Sequence, residues 1–259
     1  MRIDKLLHLK GLAKSREAAQ RMIKDGAVSV DGRVVTKPSF DASKEADIEI
    51  VGETLMYVSR GGLKLECALD AFSVDVSGLN CVDIGASTGG FTDCLLKREA
   101  AHVKAVDVGR SQLDSSLCGH PRVTSYEGIN ARYVTPEDIG GLSEVAVCDV
   151  SFISLTLILP ALRGLLSDGG RLVALIKPQF EAGRENIGKG GIVKDRNVHA
   201  NVIAKVLDAA EKVGLRCFGL CVSPILGGDG NREYLAAFTA DATGGTILEY
   251  DIKRVVFEA

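Results

Sequence analysis

Two sets of residues in this 259-residue chain are of types and spacings that could do chemistry. The first is a run of short, apolar, β-compatible residues, Cys81-Val82-Asp83-Ile84, that passes directly into Gly85-Ala86-Ser87-Thr88-Gly89-Gly90-Phe91-Thr92-Asp93. This pattern predicts a buried strand, a turn whose glycines accept close approaches that a Cβ forbids, and then a helix. Such a turn exposes backbone N–H groups beside a helix N-terminus, and in a doubly wound sheet it lies at the carboxyl edge, where ligands bind. Asp107 closes the next predicted strand, 22 positions after Gly85, and is placed to accept hydrogen bonds from ribose hydroxyls. The combination suits NAD or S-adenosyl-L-methionine. The spacing Gly-x-Ser-x-Gly-Gly departs from the dinucleotide pattern Gly-x-Gly-x-x-Gly. Asp83 suits the methionine end of S-adenosylmethionine, and Asn130, after the third strand, is placed for adenine.

The second set is four charged residues at the ends of predicted elements: Lys64 in the helix opened by Arg60-Gly61-Gly62, Asp149 closing Val145–Asp149, Lys177 following Leu175-Ile176, and Glu233 opening the last strand. Charges at the mouths of apolar strands are costly to bury unless paired. Residue types alone leave two readings, an ion-pair cluster at the sheet edge or a reaction site. The seven cysteines include no Cys-x-x-Cys pair and read as small buried hydrophobes, and the four histidines are dispersed, so no metal site is expected.

The elements that must hold these residues alternate: strand 81–84, helix 90–98, strands 103–107, 123–126 and 145–149, helix 155–166, strand 171–176, helix 195–213, and strands 216–222 and 233–239. Alternating strands and helices predict an α/β, Rossmann-like fold with a mostly parallel sheet. Only the turn Gly227-Gly228-Asp229-Gly230 separates the last two strands, so the final strand is expected to run antiparallel. Residues 1–53 have a different pattern. Ile3, Leu6, Leu7 and Leu9 make an apolar stripe on a first helix, and Ser15 is an N-cap for a second with Ala18, Ala19, Met22 and Ile23 inward. Gly26 ends that helix, Asp31-Gly32 marks a two-residue hairpin between Val28–Val30 and Arg33–Val35, and 47–51 reads as a closing strand. Residues 54–59 are expected to be a linker and 60–259 the large domain. Net charge is −3, but residues 1–37 hold nine basic and four acidic residues, leaving 22 basic and 30 acidic in the remainder. That asymmetry fits a small module that meets a polyanion. The longest apolar run, Phe152–Leu166, is interrupted by Pro160 and Arg163 and is too short to span a bilayer. No signal-peptide pattern opens the chain, so a cytoplasmic protein without a membrane partner is expected.

The N-terminal pattern Lys14-Ser15-Arg16-Glu17-Ala18-Ala19, Ile23, Gly26, Val28 and Val30-Asp31-Gly32 resembles the S4-like RNA-binding domain. Arg2, Lys5, Lys14, Arg16, Arg21 and Lys37 could line one phosphate-facing surface. Five motifs extend the resemblance over the whole chain: Ser-Arg-Gly-Gly-Leu-Lys-Leu (59–65), Asp-Ile-Gly-Ala-Ser-Thr-Gly-Gly-Phe-Thr-Asp (83–93), Cys-Asp-Val-Ser-Phe-Ile-Ser-Leu (148–155), Ile-Lys-Pro-Gln-Phe-Glu (176–181) and Gly-Asn-Arg-Glu-Tyr (230–234). Together they resemble the TlyA family, which joins an S4-like domain to an FtsJ-like ribosomal RNA 2′-O-methyltransferase and whose members often carry the name haemolysin. The resemblance implies that Lys64, Asp149, Lys177 and Glu233 are a Lys-Asp-Lys-Glu catalytic tetrad. It also implies that Asp83, Gly85, Ala86, Ser87, Thr88, Gly89, Gly90, Phe91, Asp107, Val108, Asn130, Asp149 and Val150 contact S-adenosyl-L-methionine. The implied substrate is a cytidine of 23S RNA in the 50S subunit. Action on 16S RNA in the 30S subunit is the less supported part, because no short basic extension precedes the first helix.

A ribose 2′-OH is a weak nucleophile at neutral pH and needs a base and in-line positioning. Lys177 is the expected base, with Asp149 and Glu233 orienting the two amines. Desolvation and Lys64 would lower its pKa, while the carboxylates would raise it. The glycine-rich stretch 182–193, with Arg184, Lys189 and Lys194 in and beside it, reads as a lid or a surface loop, and Lys189 is a further RNA-contact candidate. Amino-group methylation is disfavoured because no Asn/Asp-Pro-Pro-aromatic motif follows the fourth strand. Cytosine C5 chemistry is disfavoured because strand alternation turns Cys148 away from the face of Asp149. The alternatives are a membrane-active haemolysin and an inactive RNA-binding assembly factor.

Overall fold

In the computed structural model every residue is described except 14, 25, 52–55, 228–229, 242–246, 248 and 259, and at 17, 21, 24, 249 and 250 only the backbone is described. The chain divides into two units, Met1–Met56 and Tyr57–Ala259.

The small unit packs helices α1 (Ile3–Leu9) and α2 (Arg16–Lys24) on a three-stranded antiparallel sheet of β1 (Val28–Val30), β2 (Arg33–Val34) and β3 (Ile48–Ile50), ordered β2-β1-β3. Ser15 Oγ accepts the Ala18 N–H at 3.1 Å and caps α2. Asp31 and Gly32 both take positive φ, 49° and 75°, as a tight hairpin turn between right-twisted strands requires. Ile3, Leu7, Ala19, Ile23 and Val28 are fully buried. Leu9, expected on the same stripe, is exposed because α1 ends there and the chain turns away.

The large unit is a seven-stranded sheet. Its elements are α3 (Gly61–Ala71), β4 (Asn80–Ile84), α4 (Gly90–Lys97), β5 (His102–Asp107), β6 (Val123–Glu127), β7 (Ser143–Cys148), α5 (Leu159–Gly164), β8 (Leu166–Ile176), α6 (Pro178–Glu181), α7 (Arg196–Lys212), β9 (Arg216–Val222), β10 (Tyr234–Thr239) and α8 (Glu249–Phe257). The strand order is β6-β5-β4-β7-β8-β10-β9, and β10 runs antiparallel to both neighbours. Period-two alternation sorts the strand side chains into two cores. Cys81, Val145, Val147, Val173, Leu175, Leu235 and Ala237 pack with α3 and α4. Val82, Ile84, Ala146, Cys148, Leu172, Ala174, Ile176, Tyr234 and Phe238 pack with α5, α7 and α8 on the other face.

Three expectations need correction, and one element was not foreseen. Residues 155–166 are a 3₁₀ turn, Leu155–Leu157, followed by the short α5, because Pro160 fits only a helix's first turn and forces a new start. Strand β8 begins at Leu166, not 171; Gly169 with φ 70° carries it through an irregular stretch that does not look like a strand in sequence. Helix α8 was not foreseen. The expected linker 54–59 is shorter at its C-terminal end: Tyr57 is buried in the core under α3 and α4, and the Val58 N–H is bound by Asp93 at 2.9 Å. Residues 54 and 55 of that linker, and 228–229 of the expected turn, lie outside the described residues.

Candidate active site

The sheet order reverses between β4 and β7, since β4 connects onward to β5 on one side while β7 lies on the other. Open α/β sheets bind ligands outside the carboxyl ends of the strands at such a point. There Asp149 N donates to the Ile84 carbonyl at 3.0 Å, and the chain after β4 passes so close to β7 that a Cβ on Gly85 would stand 2.5 Å from the Asp149 carbonyl oxygen. Glycine is required on that ground alone, and its φ of 86° adds to it. At the end of β5, the Asp107 carboxylate accepts Ser87 N at 2.8 Å and Gly109 N at 2.6 Å, which fixes it against the glycine turn.

Asp83 lies beneath this turn with no exposed surface. Its Oδ2 accepts the Thr92 hydroxyl at 2.7 Å, while Oδ1 has no hydrogen-bond partner among the described residues. Burial, opposed by the Thr92 bond and reinforced by Asp149 and Asp107, pushes its pKa up to about 7. An orphaned buried carboxylate oxygen suits a cationic or N–H-bearing ligand group.

A cavity of about 480 Å³ opens beside the turn. Of the residues expected to hold a cofactor, Gly85, Ser87, Asp107, Val108, Asn130, Asp149 and Val150 line it. Ala86 lies beside Ser87 against Asp107, and Asp83 is buried below. Thr88 accepts the Asp114 N–H at 3.1 Å. Gly89 caps α4 and Gly90 sits tightly against Ser59 and Gly62, while Phe91 is buried core. These last four shape the turn from outside the cavity. The sequence reading assigned no cofactor role to Val106, Gln112, Ile129, Ala131 and the stretch Ser151-Phe152-Ile153, which complete the wall. Ile129 and Ala131 flank Asn130 and were findable from it. Phe152 stood inside the 148–155 motif without a role of its own: it holds φ 65°, a region bulky residues avoid, with its side chain 90% exposed at the rim.

The four charged residues form two ion pairs. Lys177 Nζ lies 2.5 Å from Asp149 Oδ1 and 2.9 Å from the Ser151 hydroxyl. Lys64 Nζ lies 2.5 Å from Glu233 Oε2. The β8–β10 register pairs Ile176 with Tyr234, so Lys177 and Glu233 are the next residues out on adjacent strands. Asp149 directly follows β7, the neighbour on the other side. Lys64, Lys177 and Glu233 are buried. Cys148 is fully buried in the core, and burial raises its thiol pKa, so it is no nucleophile.

The stretch 182–193 closes on itself, with Gly188 N bound by Ile192 O and Gly191 N by Gly188 O. Asn231 clasps its base, accepting Val193 N at 3.1 Å and donating to Gly191 O at 2.9 Å. Lys189 is exposed at its tip. In the small unit, the fully buried Asp4 carboxylate gathers Arg2, Arg16 and Gln20. These bonds, led by Arg2, hold its pKa well below the usual carboxylate range. Both arginines remain about half exposed, and Lys5 and Lys37 are exposed. Lys14 and the Arg21 side chain lie outside the described residues.

A parallel sheet with one antiparallel strand before its edge, opening a ligand cavity at the β4–β7 reversal, is the architecture of Rossmann-like methyltransferases. Comparison with known proteins agrees. The sequence model of the FtsJ-like methyltransferases matches residues 57–240, and that of the S4 domain residues 1–48. A Bacillus subtilis protein named as an rRNA methyltransferase, YqxC, is 48% identical, covering 100% of this chain and 93% of its own. The 16S/23S rRNA (cytidine-2′-O)-methyltransferase TlyA of Mycobacterium tuberculosis is 43% identical, covering 99% and 97%. A solved structure from Streptococcus thermophilus that carries a hemolysin name is 46% identical and superposes with a TM-score of 0.80, covering 100% of this chain and 94% of that one. The chain therefore belongs to the FtsJ-like methyltransferase family, in the TlyA branch that carries an S4 domain. Among the described residues no helix is long and apolar enough to cross a membrane, and no group of three or more His, Cys, Asp or Glu side chains is arranged to hold a metal.

Proposed function

We propose that this enzyme transfers a methyl group from S-adenosyl-L-methionine to a ribose 2′-OH of ribosomal RNA, with a cytidine of 23S RNA in the 50S subunit as its first substrate and 16S RNA in the 30S subunit as a second. The observation that carries the reading is the Lys177–Asp149 pair beside the cavity, with Glu233 at the head of the adjacent strand paired to Lys64 of α3. The residues fit the cofactor. Asp107 would take the ribose hydroxyls, Asn130 the adenine, and the orphaned oxygen of Asp83 the ammonium of the methionine end. When bound, S-adenosylmethionine supplies an electrophilic methyl on a sulfonium.

Lys177 Nζ receives or polarises the 2′-OH proton as the oxygen attacks, and Asp149 and the Ser151 hydroxyl hold that amine in place. Lys64 and Glu233 flank it and neutralise each other. Phe152, exposed at the rim, offers a face on which an unstacked base can lie. The S4 unit supplies grip on the RNA backbone through Arg2 and Arg16, fixed by Asp4, with Lys5, Lys37 and Lys189 as further phosphate contacts; Lys14 and Arg21 belong to the same proposed set. The test is Lys177→Ala with two readouts. It should bind S-adenosylmethionine with near wild-type affinity and transfer no methyl to ribosomal subunits; retained turnover would remove Lys177 from its role.

A further inference from the structure

Glu181 is buried, yet both its carboxylate oxygens are taken by neutral donors: Oε2 by the Ser154 hydroxyl at 2.6 Å and Oε1 by the Leu155 N–H at 2.5 Å. Burying a carboxylate costs free energy, and apolar packing would not select one here. Its position explains what it holds. Lys177 stands directly ahead of α6, and Glu181 closes that single turn. The loop it grips begins at Asp149, the partner of Lys177, and runs through Val150–Ile153, which wall the cavity. The two segments are thus tied at both ends, by Lys177 to Asp149 and Ser151 at one and by Glu181 to Ser154 and Leu155 at the other. Between the ties sits Phe152, with its unfavourable φ of 65° and its ring centroid 5.2 Å from that of Phe180, a residue of the same turn. A strained residue keeps its conformation only where its surroundings over-determine it.

We propose that Glu181 is a positioning residue for methyl transfer: it locks the loop 150–155 to the Lys177 turn, so that the amine, the Ser151 hydroxyl and the Phe152 ring keep one arrangement around the incoming ribose. This rests on the 2′-O-methyltransferase reading. A carboxylate that merely caps the Leu155–Leu157 turn would add stability and leave the catalytic step alone.

The experiment uses the full chain as wild type, Glu181→Ala and Glu181→Gln. Hydrogen–deuterium exchange of the 150–157 segment should be at least about tenfold faster in Glu181→Ala, with β4 and β8 unchanged. In steady-state transfer to 50S subunits kcat should fall about 100-fold, the scale of an ångström-level misplacement, with KM for the subunit little changed. Glu181→Gln keeps an acceptor for the Leu155 N–H and can donate to Ser154, so it should recover most of kcat. Faster local exchange with wild-type kcat would overturn the proposal, as would faster exchange across the whole sheet. A wild type that methylates no RNA would overturn this proposal together with the functional reading, whereas an active wild type with an equally active Glu181→Ala would overturn this proposal alone.

Discussion

Replacing Asp83 by Asn isolates the cost of keeping a carboxylate under the glycine turn. Its pKa is pushed up to about 7, against an ordinary value of 3.8, chiefly because the group is fully buried. The folded-state pKa is raised, so the native state binds the proton more tightly, and stability present below about pH 4 is lost as pH rises towards 7. A pKa difference of about three between the folded and unfolded chain corresponds to about 4 kcal/mol across that window. Asn keeps an acceptor for the Thr92 hydroxyl, now at 2.7 Å from Oδ2, and carries no charge. Ligand-free Asp83→Asn should therefore be more stable than wild type at pH 8 by up to about 4 kcal/mol, with the gap narrowing to near zero at about pH 4. Urea denaturation at pH 4.5, 6 and 8 measures it. The same carboxylate should ionise when the ammonium of S-adenosylmethionine reaches it. Calorimetry at pH 6 in two buffers of different ionisation heat should thus show close to one proton released in wild type and none in the variant, which should bind more weakly. Parallel stability curves for the two proteins from pH 4.5 to 8, or proton release that persists in Asp83→Asn, would refute the reasoning.

Lys64→Met should destabilise by about 3 kcal/mol in denaturant, because Glu233 would be left buried without its partner, and adding Glu233→Gln should recover part of that loss. Arg16→Ala should weaken RNA binding and lower the slope of log affinity against log salt by about one, with S-adenosylmethionine affinity unchanged. Gly62→Ala would drive a methyl into the Tyr57 ring, and thermal melting should show a loss of about 1–3 kcal/mol.

The glycine turn, the acid ending β5 and the charged strand ends were legible because each depends on local backbone geometry or on charge set against apolar strands. The antiparallel β10 followed from the absence of room for a helix before it. Other features arise only through contacts distant in sequence. Phe152 looks like an ordinary core aromatic in an apolar run, and only the docking of its loop on α6 turns it out to the rim. Tyr57 reads as linker until the bare backbone of Gly62 lets α3 close over it. The start of β8 was hidden by Asp168-Gly169-Gly170, which signal a turn and fall in a register shift, while Leu166 before them and Arg171 after them pair with Ser143 and Val145 of β7. Sequence also predicted basic residues for the RNA face without showing that one buried acid, Asp4, organises two of them.

The central claim is best tested by the chemistry of the product. Purified wild-type chain, labelled S-adenosylmethionine and unmodified 50S and 30S subunits should give label at one cytidine of 23S RNA first and at one of 16S RNA second. Each labelled nucleotide should resist alkaline cleavage on its 3′ side and release 2′-O-methylcytidine on complete digestion, and Lys177→Ala should give no label. Label on a base, or no transfer to either subunit by a protein that binds S-adenosylmethionine, would contradict it.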